Sequence, residues 1–452
     1  MIDLENGVFL EQVEDLSVRK RWPDVRDMLT LLEPADIAAV LAELPEDRLP
    51  LIYRLLPKEL AAEVFVEMEA EEQELLIRSF SDTELREVLE ELYVDDTVDL
   101  IEEMPATVVK RILRHTDPET RRSVNEILNY PEDSAGSIMT TEFVDLKRDM
   151  TVSDALKRIR RTGVDKETIN ICYVTDPSRR LLGLVSIRTL LLADEDDVIE
   201  DIMETNVISA ATMDDKEDVA QDLSRYDFLA MPVVDKEGRL VGIVTIDDAI
   251  DVMEEEATED IEKMAAILPT DKPYFQTGVI ETWKHRIPWL LLLMISATFT
   301  GTILGFFEEA LASNAALTLF IPMLMDTGGN SGGQASVTII RAMSLGDVEF
   351  ADWLRVIWKE LRVSFLCAAT LSVVVFGKVM VVDRKSASVA LVVAATIFFT
   401  IVIAKLIGCT LPMLAKKLGF DPAVMASPFI TTVVDALSLL VYFAVATQIL
   451  GL

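Results

Sequence analysis

The stretch that decides the fold class closes the chain: DPAVMASPFITTVVDALSLLVYFAVATQILGL, residues 421–452. From Ala423 to Leu452 it is long enough to cross a bilayer, which takes about 20 apolar residues, and Asp435 is its one acidic residue. Val433 and Val434 precede that aspartate, and Leu437, Leu439 and Leu440 follow it. A carboxylate at the centre of an inserted helix costs roughly 2.5–3.5 kcal/mol on insertion scales, so it faces a water-filled path or a partner rather than lipid. A solvated kink or a short loop is the plainer alternative; a cation pathway is the sharper one.

Reading upstream, further apolar stretches appear. Ile287 to Phe307 is a charge-free span. Ala310 to Ile340 is interrupted by Pro322 and by the polar, glycine-rich run Asp326 to Gln334, which predicts a broken span; irregular backbone at that depth is tolerated where it is packed in protein or lines water. Val363 to Val382, Ser386 to Ala415 and Ala423 to Leu452 complete five spans, and Lys378 and Lys405 within them are expected to snorkel or pair. With the N-terminus inside, Arg341, Arg355, Lys359, Arg362, Lys416 and Lys417 fall on the cytosolic side, against Arg384 and Lys385 opposite, as the positive-inside bias requires. The C-terminus then lies outside. Five spans contain no inverted repeat, so a pore on the axis between two copies is the expected way to enclose Asp435.

Charge divides the chain sharply. Met1 to His285 holds 31 Lys+Arg against 67 Asp+Glu, a net of −36, whereas the remainder holds 11 against 10, giving −35 overall. Such a field repels nucleic acid and gathers cations, so no nucleic-acid partner is expected. Cys172, Cys367 and Cys409 are too dispersed for a disulfide or thiolate framework, and His115 and His285 are too isolated to form a site. The first residues, MIDLENGVFLEQ, lack a basic region followed by an apolar core, so the acidic part is expected to stay in the cytosol.

The acidic part itself changes pattern. Residues 1–129 have apolar residues at helical spacing, such as Ile37, Val40, Leu41 and Leu44, punctuated by Pro34, Pro45, Pro50, Pro57, Pro105 and Pro118, which predicts an all-α superhelix. Beyond it a strand-and-helix pattern repeats: LLGLVSI at 181–187 matches LVGIVTI at 240–246, and Ile138-Met139-Thr140 is echoed by Ile202-Met203-Glu204. Units at 130–200 and 201–250 follow. An acidic connecting helix over 251–284 and a membrane domain over 285–452 complete the order. In that connecting run, positions 248, 251, 255, 259 and 262 share one helix face, and carboxylates stacked so repel unless a cation arrives.

The repeats resemble a tandem pair of cystathionine-β-synthase-type (CBS) domains of α/β class. Their order, together with PEDSAGSIMT at 131, ATEDIEKM at 257, TGGNSGGQAS at 327 and DPAVMASPFITTVVD at 421, resembles the MgtE family of magnesium channels over essentially the whole chain. The resemblance implies a homodimeric, multi-pass α-helical protein of the bacterial inner (plasma) membrane that is not an enzyme. It implies Mg²⁺ as cargo and regulator, with Mn²⁺ and Co²⁺ as further candidates. It further implies Asp435 as pore carboxylate with the Thr431 carbonyl one turn before it. Gly328 and Gly329 leave room for close backbone approach and Asn330 and Gln334 can satisfy freed polar groups, so this run is expected to line or buttress the ion path, with a helix-packing motif of small residues as the plainer alternative. Asp421 is implied as the link between plug and pore, and Asp248, Asp251, Glu256, Glu259 and Asp260 as plug and CBS carboxylates. Asp95, Asp99, Gly136 and Asp227 complete the implied cytosolic metal set.

One departure stands out. CBS pairs that hold adenine nucleotides use a carboxylate at the end of a Ser/Thr-x-x-Asp motif to accept from the ribose diol. Here the first unit ends Ser186-Ile187-Arg188-Thr189, so ATP is not expected there, while Asp248 of the second unit is read as a metal ligand. The competing function is a membrane-anchored nucleotide or metal sensor that transports nothing, although such an anchor needs neither Asp435 nor the 326–334 run. A membrane-bound hydrolase lacks paired histidines or an activated nucleophile.

Overall fold

The computed structural model describes residues 8–270, 274, 277–425 and 427–451. The first seven residues of the expected helical domain, and 271–273 and 275–276 of the expected 251–284 connector, lie outside the described residues. The chain divides into two compact units, Met1–Met253 and Glu254–Leu452.

Short helices fill the start of the first unit, from Val8–Val18 to Pro118–Ile127. The prolines set their boundaries. Pro34 and Pro118 are the first residues of their helices, where the missing N–H is not needed, and Pro57 and Pro105 are N-caps. Ser81 closes a capping box with Glu84. Ile37, Leu41, Ile52, Leu76, Leu85 and Ile112, from five of these helices, are fully buried in one core.

Two three-stranded sheets follow. β1 (Val144–Lys147) runs parallel to β2 (Ile171–Thr175), which pairs antiparallel with β3 (Leu181–Ser186). β4 (Ala210–Ala211), β5 (Ala230–Val234) and β6 (Leu240–Thr245) repeat that order. The lead-in segments are exchanged between the repeats. Thr140 pairs with Ile243 of β6 through N–H···O bonds of 2.8 and 2.9 Å, and Glu204 pairs with Leu184 of β3 at 2.9 Å in both directions. This exchange explains the glycine of each repeat core: a Cβ on Gly242 would lie 2.6 Å from Met139 Sδ, and one on Gly183 would lie 2.7 Å from the Glu204 carbonyl oxygen. The repeated Ile-Met pairs and the repeated glycines are thus one device seen from two sides.

The second unit is helical. Val279–Phe306, the helix within Phe350–Val381, Ala387–Lys417 and the helix within Pro422–Leu450 are long and apolar enough to cross a membrane. A fifth helix, Ile321–Ser344, has 24 residues and so is about 36 Å long, enough to span, but carries the polar run. Here the expectation of a broken span fails: the helix continues without interruption through residues 326–334. Glycine in a helix costs about 1 kcal/mol against alanine, yet tertiary contact requires it. A Cβ on Gly332 would lie 2.8 Å from Ile430 Cγ2, one on Gly328 2.9 Å from Val434 Cγ1, and one on Gly408 would fall on the Gly332 carbonyl oxygen. The run is a close-packing seam of small residues. Pro322 sits in the first turn of the helix and breaks nothing. Elsewhere in this unit Phe307 stacks on Phe443 at 4.2 Å, and the Tyr442 hydroxyl donates to the Leu317 carbonyl at 2.9 Å. Lys378 is paired, with Asp383 at 2.9 Å.

Candidate functional site

In the first unit the helix Val94–Glu103 sets Asp95 and Asp99 one turn apart, and Asp95 is 8% exposed. Asp96 between them accepts from the Tyr93 N–H at 3.3 Å. Asp248, near the start of the helix Ile246–Met264, accepts from the Thr245 hydroxyl. These carboxylates act on one another. Burial first, then Asp248, Asp96 and Glu167, push Asp95 well above the usual carboxylate range. Asp96 is raised by burial and by Asp247 to about 6, and Asp248 by burial and by Asp247 to about 7. Glu167 reaches about 8 through burial, Asp96 and Asp247, and Glu142 is raised mainly by burial. Asp99 is raised too, though its side chain keeps contact with solvent. By contrast Arg54 and the Ser81 N–H hold Glu84 down to about 2. Asp96, Glu142, Glu167 and Asp247 were missed in the sequence because they come from four separate segments that no spacing rule connects.

Among the described residues no three Asp, Glu, His or Cys side chains converge tightly enough to hold a bare metal ion. The acids lie close enough to repel but not to coordinate.

The other expected metal-site residues of the first unit, and Glu256 near the start of the second, differ in setting. Gly136 is buried, its N–H donating to the Thr212 carbonyl at 3.0 Å, and a Cβ there would strike the Tyr130 ring at 2.6 Å, so close approach alone demands glycine. Asp227 ends the helix Lys216–Tyr226 in a left-handed conformation, φ 54°, and is not among the principal charges acting on the Asp95–Asp248 group. Asp251 is exposed and Glu256 half-buried.

In the second unit Lys263 lies 2.7 Å from Asp421 and 2.6 Å from Glu259. Asp421 also accepts from the Ala423 N–H at 2.7 Å, and burial followed by Asp421 raises Asp260. The single acidic face expected over 248–262 is therefore divided: Asp248 joins the Asp95 group, while Glu259 and Asp260 join Asp421 with a lysine among them.

Along the spans, Thr431, Val434 and Ser438 of the helix Ser427–Leu450 back onto Gly328 and Gly329. Asp435 Oδ1 is buried with no hydrogen-bond partner among the described residues, and the carboxylate that acts on it through space is Asp326. Asn330 and Gln334 face elsewhere. They line an open cleft of about 800 Å³ with Glu360 and Lys405, both under a tenth exposed. Sequence grouped the glycines with Asn330 and Gln334; the helix turns them to different neighbours. Asp326 was quoted as part of the polar run but not as a partner of Asp435, since 109 positions separate the two and only packing brings them together.

Carboxylates within packed apolar helices, in a chain that also carries an acidic helical domain and a two-repeat α/β module, define a multi-pass transporter of cations. Residues 321–445 match the divalent cation transporter family model, 32–133 the MgtE intracellular N domain, and 135–196 and 199–255 the CBS domain. The chain is 39% identical over 430 residues to the magnesium transporter MgtE of Thermus thermophilus, covering 94% of this chain and 95% of that one. It is 35% identical over 425 residues to that of Bacillus subtilis, covering 94% and 93%. This chain belongs to the MgtE family, whose members are transporters and not enzymes. The cytosolic domain of the Mg²⁺ channel MgtE solved in complex with ATP aligns over 54% of this chain and 99% of its own, at 38% identity and TM-score 0.51. The soluble part of a magnesium transporter aligns over 55% and 98%, at 32% identity and TM-score 0.52.

Proposed function

We propose that this protein, as a homodimer, conducts Mg²⁺ past Asp435 and is closed by Mg²⁺ gathered on its acidic soluble part. The single observation that carries the pore reading is the half-buried Asp435 carboxylate on an apolar helix, whose Oδ1 has no hydrogen-bond partner among the described residues and on which Asp326 acts through space. Two neighbouring acids at membrane depth are stable together when a cation visits them. Few carboxylates suit an ion that must enter readily, stay hydrated and leave again. Dimerisation doubles this set about an axis.

Closure follows by mass action. Divalent ions bound between the raised carboxylates remove a repulsion that opposes compaction, and so select the state in which those acids lie together. The orientation has the N-terminus in the cytosol and the C-terminus outside. Mn²⁺ and Co²⁺ are further candidate ions. The Thr189 hydroxyl is bonded to Ser186 at 2.9 Å and offers no carboxylate to a ribose, so ATP has no part at this position. A sensor without transport leaves the buried carboxylates of the spans without a role.

The test is current recording on the reconstituted full chain with Mg²⁺ varied on the cytosolic side. Inward Mg²⁺ current that falls as cytosolic Mg²⁺ rises, and that is lost in Asp435→Asn, is the expected result. Equal current in that variant would overturn the pore assignment.

A further inference from the structure

Hydroxyls on spanning helices have a default partner. A serine or threonine there donates back to a carbonyl about one turn earlier on its own helix, because lipid offers it nothing else. Thr396 does so to Val392 at 2.8 Å, Thr370 to Leu366 at 2.9 Å and Thr447 to Phe443 at 2.8 Å. Two hydroxyls depart from this pattern. Thr400 Oγ1 and Ser438 Oγ are sealed from solvent, on residues 2% exposed, and neither has a hydrogen-bond partner among the described residues. Asp435 Oδ1 is likewise sealed and without a partner among them.

These three side chains are neighbours. Ser438 follows Asp435 by three positions on the helix Ser427–Leu450, a spacing that shares one helix face. Thr400 comes from the helix Ala387–Lys417 and reaches the same corner: a Cβ built on Gly328 would lie 2.8 Å from Thr400 Cγ2 and 2.9 Å from Ser438 Oγ. Leaving three polar atoms unpaired at membrane depth is costly, and a buried polar corner of this kind holds an ordered water that makes about three hydrogen bonds. The donor and acceptor count closes. A water can donate one hydrogen to the carboxylate oxygen, which only accepts, and the other to one hydroxyl, while the second hydroxyl donates to it.

We infer that Thr400 and Ser438 are positioning residues of the ion site: they hold a water that donates to Asp435 Oδ1, so that the carboxylate offers a passing ion one oxygen, Oδ2. The inference rests on Asp435 as the ion-path carboxylate, and its consequence is selectivity. Mg²⁺ demands near-octahedral geometry and keeps several waters, whereas Ca²⁺ accepts about six to eight oxygens and takes a carboxylate by both of its oxygens. Occupying Oδ1 therefore costs Mg²⁺ little and denies Ca²⁺ a ligand.

The reconstituted full chain is recorded with Mg²⁺ and then with Ca²⁺ as the sole divalent ion, and the ratio of the two currents is compared among variants. Thr400→Val with Ser438→Ala should raise the Ca²⁺-to-Mg²⁺ ratio by about three- to tenfold, the worth of a hydrogen bond to a charged group, while Mg²⁺ current persists. Thr400→Ser should keep the parent's ratio, since it retains the hydroxyl and loses only the methyl that packs at Gly328. An unchanged ratio in the double variant, an equal rise in Thr400→Ser, or loss of both currents would each overturn the inference. Asp435→Asn, recorded alongside, keeps two questions apart. Mg²⁺ current surviving there removes the pore reading itself, whereas silence there with an unchanged ratio in the double variant removes only the role of the hydroxyls. Should the double variant fail to fold, Ser438→Ala alone carries the same expectation at reduced size.

Discussion

Lys263 Nζ lies 2.7 Å from Asp421 Oδ2, and the same ammonium lies 2.6 Å from Glu259 Oε1. A divalent ion was expected to join these carboxylates; the chain supplies a cation of its own. Burial alone would lower the Lys263 pKa, but hydrogen bonds to Asp421 and Glu259 hold it above its ordinary value, so the ammonium stays charged at neutral pH. Met264, the next residue, packs against Ile340 and Ala423, so the helix end is fastened by an ion pair and an apolar contact together.

A partly exposed pair of this kind contributes about 1 kcal/mol or less. Lys263→Met should therefore raise open probability at low Mg²⁺ by up to about fivefold. It also exposes Glu259, Asp260 and Asp421 to metal, so the remaining closure should depend more steeply on Mg²⁺. Single-channel recording across a Mg²⁺ series reads both effects. An unchanged open probability in the absence of Mg²⁺ would mean that the lysine fastens nothing.

Asp435→Asn should abolish Mg²⁺ flux while leaving the fold intact. The Oδ1 atom has no hydrogen-bond partner among the described residues, so the amide sacrifices no bond there and removes a buried charge. Melting of the purified protein should be unchanged or shifted upward while uptake falls to background. Loss of both together would assign the residue to folding and not to transport.

Gly408→Val should be severely destabilising. The added side chain would start from a Cβ lying on the Gly332 carbonyl oxygen, and forcing two helices apart in a packed interior typically costs about 1–3 kcal/mol or more. Gly377→Val, where nothing lies within 4 Å of an added Cβ, should be tolerated and serves as the control. Thermal melting in detergent compares the two. Equal melting would remove the close-packing account of the 326–334 run.

The Asp95–Asp248 group makes stability depend on pH in a defined direction. Its carboxylates have pKa values raised in the folded protein, to about 6 for Asp96, about 7 for Asp248 and about 8 for Glu167. The folded state therefore binds protons that the unfolded state has released, and the stabilisation they give is lost progressively as pH rises from about 4, where the unfolded carboxylates ionise, to about 8. In EDTA the melting temperature should fall over that window, and Mg²⁺ should restore it most above pH 8, where it no longer competes with protons. Calorimetry in buffers of different ionisation enthalpy should detect proton release on Mg²⁺ binding at pH 7. Stability that is flat across the window would show that these acids are not compressed in solution.

Asp248→Asn isolates one member of that group. The amide oxygen still accepts from the Thr245 hydroxyl, while the charge that acts on Asp95 and Asp99 disappears. The variant should be more stable than the parent in EDTA, by about 1–3 kcal/mol, because an ionised group buried among like charges is costly. It should gain less from Mg²⁺. A variant that is less stable in EDTA and gains as much from Mg²⁺ would contradict the repulsion account.

The sequence by itself determined the elements whose signal is local or periodic. A motif repeated at an offset of 59 marked β3 and β6, prolines set the helix boundaries of the acidic domain, and the length of apolar stretches identified the spans. The lone Asp435 was legible because an ionisable group stands out against a uniform apolar background. Only tertiary structure decided the rest. Whether the 326–334 run bends or stays helical depends on whether a neighbouring helix comes close enough to need glycine, and Ile430, Val434 and Gly408 do. Which acids face one another depends on packing between segments far apart in the chain, as with Asp326 and Asp435, or Asp95 and Glu167. Electrostatic coupling falls with distance in space; spacing along a sequence measures distance only within one element, and these sites are assembled from several.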